Sequence, residues 1–454
     1  MAATTVSAIR LFFIAPSFAI KTPHPADLFH RSRQVPKNLD LALPLRVDWL
    51  LNPCRRESIV EPNRTNSQQD PCRINKLVRD LPPSGIRRFF DLVEAMPEAL
   101  SLGIGEPDFI TPWRICETGI FSLERGHTQY TPNRGIRALR VAIAKYLQRR
   151  FGLNYDPDEE ILITVGGSEA IDLALRVLVT PGEAVLVPEP CFVSYAPCAQ
   201  LAGAQAITVT TKAEDDFRLL PEQIAGAPSH TKALLFGYPN NPTGAVMGRD
   251  DLQKIADVAT ERDWIVISDE IYSELTYDGE HTSIAALPGM HDRTVLVSGF
   301  SKAFAMTGWR LGYACGPADI LNAMTKLHAY AIMCSPTTAQ EAAVEAMEKA
   351  QDDVNYMVGQ YNQRRRVVLS RLRAMGLSCF EPKGAFYAFP GIQSTGLTSE
   401  DFCQRLLAEE KVAMVPGNAF GACGEGFVRI SYATAMDKIE EALARTARFV
   451  SRYK

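Results

Sequence analysis

Short, uninterrupted apolar runs alternate with longer amphipathic stretches from residue 161 onward. The runs are ILITVG, AVLVPEP, ALLFGYP, WIVISDE, TVLVSGF and RLGYACG, and stretches such as SEAIDLALRVLV and DDLQKIADVATE lie between them. Because apolar residues are consecutive rather than alternate, both faces of each strand are predicted to be covered. The pattern therefore predicts an α/β fold with a mainly parallel central sheet, in which ligands bind at the carboxyl ends of the strands.

The pattern becomes helical near residue 345. A long stretch, QDDVNYMVGQYNQRRRVVLSRLRAMG, precedes the shorter strand candidates CFEPKGAFYAFP and GFVRISYA and a last helix. We predict a smaller C-terminal α+β domain over 345–454 and a large domain over 76–344. The large domain begins with PPSGIRRFFDLVEAM, whose apolar residues have the spacing of an amphipathic helix.

Residues 1–75 differ from the rest of the chain. They contain 8 of the 29 prolines and no sustained helical or strand period, which predicts a poorly ordered extension. The opening MAATTVSAIRLFFIAPSFAIK lacks acidic residues, as an organelle transit peptide or a weak secretory signal does. Translation from upstream of the true start is an equal alternative.

The amino-acid composition and net charge argue against some classes of protein. Apolar residues make up 46% of the 454 positions, and 48 basic against 52 acidic residues leave a net charge of -4, so neither a nucleic-acid nor a membrane partner is expected. The ten cysteines form no CxxC pair and have no accompanying histidine cluster. We expect reduced thiols, no metal site and a cytoplasmic location, with organelle targeting left open.

Polar residues follow several apolar runs, where the ends of parallel strands would meet. Asp269 ends WIVISDE, and its carboxylate can pair with the protonated ring nitrogen of a cofactor or cap the next segment. Tyr272 can lie on the same face and bond a ring hydroxyl. Asn241 in YPNNPTG lies in a turn that can present its amide to a ligand. Together they predict a polar site at this edge of the sheet.

A lysine and two anion-binding features accompany these residues. Lys302 follows TVLVSGFS at the mouth of a buried strand, where desolvation lowers the pKa of an amine toward its nucleophilic form. Arg310 begins RLGYACG and can bind a phosphate through two N–H groups. GGSEA, at 166–170, joins a strand to a helix and offers backbone N–H groups to an anion. We expect a phosphate-bearing ligand near the amine.

Four motifs then identify a family resemblance. SGFSKAFAMTGWRLGYACGP is the signature, and GEPDFITP, YPNNPTG and SDEIY precede it in the expected order. Over roughly residues 76–454 the chain resembles the class I and II pyridoxal-phosphate-dependent aminotransferases of fold type I. The resemblance implies a large domain with a mainly parallel sheet, a smaller C-terminal α+β domain and pyridoxal 5′-phosphate as cofactor.

The resemblance also implies roles for the cofactor-binding residues. Lys302 would bind the cofactor covalently and act as general base and acid. Asp269 would hold the pyridinium nitrogen, and Tyr272 and Asn241 would bond the ring oxygen. Gly167, Ser168 and Glu169 would offer backbone N–H groups to the phosphate, and Arg310 would reach it by charge.

Substrate and subunit contacts are implied in the same way. Phe192 in EPCFVSYAP takes the place of the ring-stacking aromatic residue. Arg429 in FVRISYA would bind the substrate α-carboxylate, with Gly105 and Asn241 beside it. Tyr130 in QYTPNRG resembles the tyrosine that reaches the phosphate of the neighbouring subunit, which implies a homodimer with shared active sites.

One position departs from the family pattern. Many relatives carry a phosphate-binding serine three residues before the lysine, where this chain has Gly299. Ser298, Ser301 or the backbone could provide that contact. Arg176, on SEAIDLALRVLV, is a speculative partner for a substrate side-chain carboxylate, with a surface charge as the alternative.

The favoured function is a transaminase that moves an amino group from an L-amino acid to a 2-oxo acid. Aspartate with 2-oxoglutarate is the first expected pair, and aromatic amino acids or alanine are close alternatives. A carbon–sulfur lyase of the same fold would use the same cofactor residues. A pyridoxal-phosphate-binding transcription regulator would need a folded DNA-binding domain in residues 1–75, where the prolines argue against one.

Overall fold

A computed structural model describes residues 73–81, 85, 96 and 98–453. Most of the extension predicted over residues 1–75 lies outside the described residues. So does most of the helix predicted over PPSGIRRFFDLVEAM, and both stay predictions.

The described strands and helices are numbered in chain order. The strands are β1 (Leu100–Ser101), β2 (Ile161–Thr164), β3 (Ala184–Glu189), β4 (Gln205–Thr210), β5 (Thr231–Gly237), β6 (Ile265–Asp269), β7 (Thr294–Gly299), β8 (Gly312–Cys315), β9 (Tyr387–Ala388), β10 (Val412–Ala413), β11 (Val415–Pro416) and β12 (Val428–Ser431). The helices are α1 (Lys76–Asp80), α2 (Trp113–Glu124), α3 (Arg137–Phe151), α4 (Gly167–Leu178), α5 (Tyr195–Leu201), α6 (Pro221–Ala225), α7 (Arg249–Glu261), α8 (Ala318–Ala331), α9 (Thr337–Lys349), α10 (Gln351–Ala374), α11 (Ser399–Glu410) and α12 (Met436–Ser451).

A seven-stranded sheet lies at the centre, in the order β2-β8-β7-β6-β5-β3-β4. The adjacent strands β4, β3, β5, β6 and β7 are parallel to one another, and β8 runs antiparallel to both β2 and β7. The predicted α/β fold is confirmed, and each of the six apolar runs contains a strand. The sequence did not predict β4, because only one residue of this edge strand is buried and it has no continuous apolar run.

Helices cover both faces of this sheet. Leu234 and Phe236 of β5 pack with residues of α6 and α7 in one apolar cluster. Their neighbours Ala233 and Leu235 point to the opposite face and pack with residues of α4, α5 and α8. Successive side chains of a strand point to opposite faces, so a strand covered on both sides needs the uninterrupted apolar run seen in the sequence.

Smaller strands near the C-terminus bring distant segments together. β9, β12 and β11 form an antiparallel sheet, and β1 pairs in parallel with β10. The long predicted helix is present as α10, whereas the strand candidate CFEPKGAFYAFP contains only the two residues of β9. The Ser431 N–H donates to the Leu102 carbonyl oxygen, so the chain after β1 lies beside β12. The boundary between 76–344 and 345–454 stays a prediction.

Within the described part of the chain, we find no helix with the length and apolar character needed to span a bilayer.

Close backbone contact between β8 and the turn before α4 requires glycine at position 312. A methyl group on Gly312 would lie 2.5 Å from the Gly166 carbonyl carbon and 2.6 Å from the Gly167 nitrogen. We expect Gly312→Ala to reduce the free energy of unfolding by about 1–3 kcal/mol, because rigid backbone would have to move. Urea denaturation measures this change.

The matched control is Gly359→Ala on α10, where an added methyl group would meet no described atom within 4 Å apart from the backbone of its own helix. Because alanine favours a helix over glycine, this variant should gain about 0.5–1 kcal/mol. Equal stability of the wild type and Gly312→Ala would contradict the packing argument.

Candidate active site

A cavity of about 540 Å³ opens where β5, β6 and β7 end. This is the edge at which α/β proteins bind ligands, and the volume suits a small organic molecule. Most of the predicted site residues line it. They are Gly105, Gly167, Ser168, Phe192, Asn241, Asp269, Tyr272, Lys302, Arg310 and Arg429.

Asp269, the last residue of β6, is buried in this cavity wall. Tyr195 donates its hydroxyl to Asp269 Oδ2 at 2.7 Å, and the Ile271 N–H donates to Oδ1 at 3.2 Å. Burial raises the pKa of Asp269 from 3.8 to about 6, although both hydrogen bonds act in the opposite direction. The segment after Asp269 forms turns rather than a helix, so this carboxylate is not a helix cap.

Lys302 lies in the turn after β7, and its side chain is half-buried. Its Nζ donates to the Gly105 carbonyl oxygen at 2.6 Å. The pKa of Lys302 is lowered from 10.5 to about 8, mainly by burial; Glu106 opposes this shift, and the nearby Arg429 and Arg310 contribute to it. A substantial fraction of neutral amine is therefore available close to neutral pH.

The turn from β2 into α4 forms an anion-binding corner with Arg310. Gly166 has a φ of +80°, and a methyl group there would lie 2.8 Å from an Arg310 guanidinium nitrogen. No side chain at the N-cap of α4 bonds the first-turn N–H groups, and Gly167 and Ser168 line the cavity. Backbone donors, the positive helix end and a guanidinium thus converge on one point.

The structure separates the two serines that could act in place of a side chain at Gly299. Ser301 lines the cavity, whereas Ser298 is buried and donates to the Glu270 carbonyl oxygen at 3.3 Å. A methyl group on Gly299 would lie 3.0 Å from Gly312 Cα, so a side chain would be crowded there.

Arg429 of β12 enters the cavity from the C-terminal sheet. Its Nη1 donates to Asn241 Oδ1 at 2.8 Å and its Nη2 to the Gly103 carbonyl oxygen at 2.6 Å. The guanidinium lies 4.5 Å from the Tyr387 ring centre and 4.7 Å from that of Phe420. Its Nε is buried and has no hydrogen-bond partner among the described residues, so this rigidly held cation keeps an unused donor.

Two tyrosines in the cavity wall, Tyr387 and Tyr195, were not predicted from the sequence. Tyr387 and Tyr272 share a hydrogen bond of 2.8 Å between their hydroxyl oxygens. Tyr195 binds Asp269 and packs edge-to-face on Phe192, with ring centres 5.7 Å apart. Tyr195 lies three residues after Phe192, a spacing that could have suggested a shared surface, whereas nothing local connects Tyr387 with Tyr272.

Three other candidate residues lie outside the cavity wall. Tyr130 is 81% exposed. The Glu169 carboxylate accepts hydrogen bonds from the Val165 N–H and, at 2.7 Å, from His328. Arg176 donates to Asp172 at 2.7 Å, one turn away on α4. The predicted phosphate contacts of Tyr130 and Glu169 stay predictions.

Comparison with known proteins gives a consistent result. Residues 97–445 match the family model described as aminotransferase class I and II. The chain is 48% identical over 367 residues to an aspartate aminotransferase of Pyrococcus abyssi, covering 80% of this chain and 94% of that one. It is 45% identical over 376 residues to aromatic-amino-acid aminotransferase 2 of Thermococcus litoralis, covering 82% and 97%.

A solved structure extends the similarity to the fold. The aspartate aminotransferase from Thermus thermophilus with maleate superposes with a TM-score of 0.80 at 37% sequence identity. The match covers 83% of this chain and 99% of that one.

The raised pKa of Asp269 predicts a pH-dependent stability for the protein without ligands. Between pH 3.8 and about 6, the folded state holds a proton that the unfolded state has released. Stability should therefore fall as pH rises through this window, by about 3 kcal/mol in total. Asp269→Asn cannot ionise, so it should lose less stability than the wild type between pH 4 and pH 7 in urea denaturation.

Asp257→Asn provides the control, because Asp257 is an exposed aspartate on α7. Its stability should follow the wild-type pH dependence. If Asp269→Asn follows that dependence as well, burial does not control the ionisation of Asp269.

Proposed function

This chain belongs to the class I and II aminotransferases, and we propose that its cavity holds pyridoxal 5′-phosphate and an L-amino acid or 2-oxo acid. The family depends on this cofactor in general. The observation that carries the proposal is the buried Lys302 amine, which shares one cavity with an anion-binding corner and a buried carboxylate.

The anion-binding corner fits a phosphate group. Arg310 supplies charge, and the uncapped first turn of α4 supplies backbone donors at Gly167 and Ser168. We assign the hydroxyl of Ser301 to the contact that Gly299 cannot make.

Another part of the cavity, around Asp269, fits a protonated pyridine ring. A buried carboxylate with a raised pKa gains most from a cationic partner, which Asp269 would find in the ring nitrogen. Tyr272 and Asn241 offer a hydroxyl and an amide for the ring oxygen, and Phe192 offers an aromatic face.

When bound, the cofactor supplies an electron sink that weakens the bonds at the substrate α-carbon. The chain itself supplies the proton transfer. Lys302 Nζ, with its pKa lowered to about 8, can take a proton from the α-carbon and return it as a general acid. The Gly105 carbonyl oxygen holds this amine in position within the cavity.

Arg429 provides the binding site for the substrate α-carboxylate. Bonds to Asn241 and Gly103 fix the guanidinium, and its unpaired Nε can donate to a carboxylate oxygen. A fixed cation selects the orientation of the α-carbon and so the bond that breaks. The planar, forked geometry suits arginine better than lysine.

Aspartate is the first donor to test, with 2-oxoglutarate as acceptor. Relatives of similar identity are named for aspartate and for aromatic amino acids, so an assay panel should include aspartate, phenylalanine and alanine. Release of pyruvate and ammonia should be measured in parallel. Such release without transamination would favour the carbon–sulfur lyase, which the names of these relatives do not support.

A homodimer is the proposed assembly. Large apolar side chains are exposed on α2 and at the end of α8, where a second copy could cover them. They include Trp113, Ile120, Phe121, Leu123, Tyr330 and Met333. The exposed Tyr130 would then be free to reach the cavity of the partner subunit. A cytoplasmic location stays a prediction from composition.

Replacement of the proposed catalytic lysine tests the function directly. Lys302→Ala should reduce the transamination rate by at least about 1,000-fold, because both the covalent attachment and the proton transfer are lost. The visible absorption of the protein-bound cofactor should shift as well. Turnover near the wild-type rate would refute the assignment of Lys302.

The dimer proposal is tested by a charge on the exposed surface of α2. Trp113→Glu should lower the molar mass measured by light scattering at micromolar protein, because a buried charge at an apolar interface is costly. Lys254→Glu, on the exposed side of α7, should leave the mass unchanged. A monomeric wild type would rule out the dimer.

A further inference from the structure

We propose that Glu169 and His328 act together as positioning residues that hold the phosphate-binding turn in place. The inference rests on the proposed cofactor, because it concerns the part of the cavity that would hold its phosphate. Neither residue lines the cavity, so the pair acts through the turn between β2 and α4.

Glu169 connects the turn to a separate helix. One carboxylate oxygen accepts the Val165 N–H, just before the glycines of the turn. The other accepts a hydrogen bond from His328 Nδ1 of α8 at 2.7 Å. Both oxygens are thus engaged, one within the turn and one on the neighbouring helix.

Burial makes this connection rigid. His328 has no exposed surface, and within the described part of the chain its Nε2 has no hydrogen-bond partner. Since a carboxylate only accepts hydrogen bonds, the proton of the pair lies on Nδ1. A buried donor therefore anchors the Glu169 carboxylate.

The turn needs such an anchor because its own sequence fixes it poorly. Gly166 is the N-cap of α4 and has no side chain that could bond the first-turn N–H groups. Glycine also allows more backbone conformations than other residues. The Glu169 carboxylate restrains the chain next to this flexible position, while Gly312 of β8 supports the turn by close packing.

We expect the loss of this pair to affect binding of the phosphate group selectively. If the pair positions the N–H groups of Gly167 and Ser168, its loss should weaken binding of the phosphate more than binding of the ring. The two dissociation constants to compare are those of pyridoxal 5′-phosphate and of pyridoxal, which lacks the phosphate. Both are measured by titrating the cofactor-free protein and following absorbance and protein fluorescence.

We expect Glu169→Ala and His328→Phe each to raise the dissociation constant of pyridoxal 5′-phosphate roughly tenfold, as for the loss of one buried hydrogen bond to a charged group. The dissociation constant of pyridoxal should change less than about twofold. Glu169→Gln keeps the shape and one acceptor, so it should have a smaller effect and remain folded if the alanine variant does not.

Thr325→Ala is the matched control, because Thr325 lies on α8 one turn before His328 and bonds only the Leu321 carbonyl oxygen of the same helix. It should bind both compounds like the wild type. Unchanged affinity for pyridoxal 5′-phosphate in the Glu169 and His328 variants would overturn the inference. An equal loss for both compounds would also overturn it, since that indicates general destabilisation. A wild type that binds neither compound would instead refute the proposed cofactor.

Discussion

Burial of charged groups in one cavity is the constraint on which the rest of this structure depends. Water stabilises an ion far better than a protein interior does, so Asp269 and Lys302 are both driven toward their neutral forms. The protein counters this cost with a few well-placed partners, such as the Tyr195 hydroxyl and the Gly105 carbonyl oxygen. The charge that these partners do not balance is available to interact with a ligand.

The arrangement of strands explains how such groups meet. Asp269 is the last residue of β6, and Lys302 lies in the turn after the adjacent parallel strand β7. Both residues therefore lie at the same edge of the sheet. Arg429 arrives from a separate sheet, whose strand β12 is tied to the segment after β1. The main sheet thus provides the reactive part of the cavity, and the C-terminal strands provide the cation for the substrate.

The sequence predicted those parts of the fold that depend on residues close together along the chain. A strand covered on both faces needs a continuous apolar run, so six strands of the main sheet could be recognised, whereas the exposed edge strand β4 could not. Lys302, Asp269 and Asn241 follow such runs directly. The contact between Tyr272 and Tyr387 joins residues 115 positions apart, and no local pattern encodes it. The side chain of Glu169 likewise binds His328, which lies 159 positions further along the chain.

Three groups in the site are poorly stabilised by the rest of the protein, and one explanation accounts for all three. The first turn of α4 lacks a side-chain cap, Arg429 Nε has no partner, and Asp269 is held at a raised pKa. Each is unfavourable for the protein by itself, and each offers what a different part of one ligand needs: donors for a phosphate, a donor for a carboxylate and an anion for a protonated ring. A protein selected only for stability would have satisfied these groups with its own residues. Their occurrence together in one cavity is therefore itself an argument for a ligand with all three features.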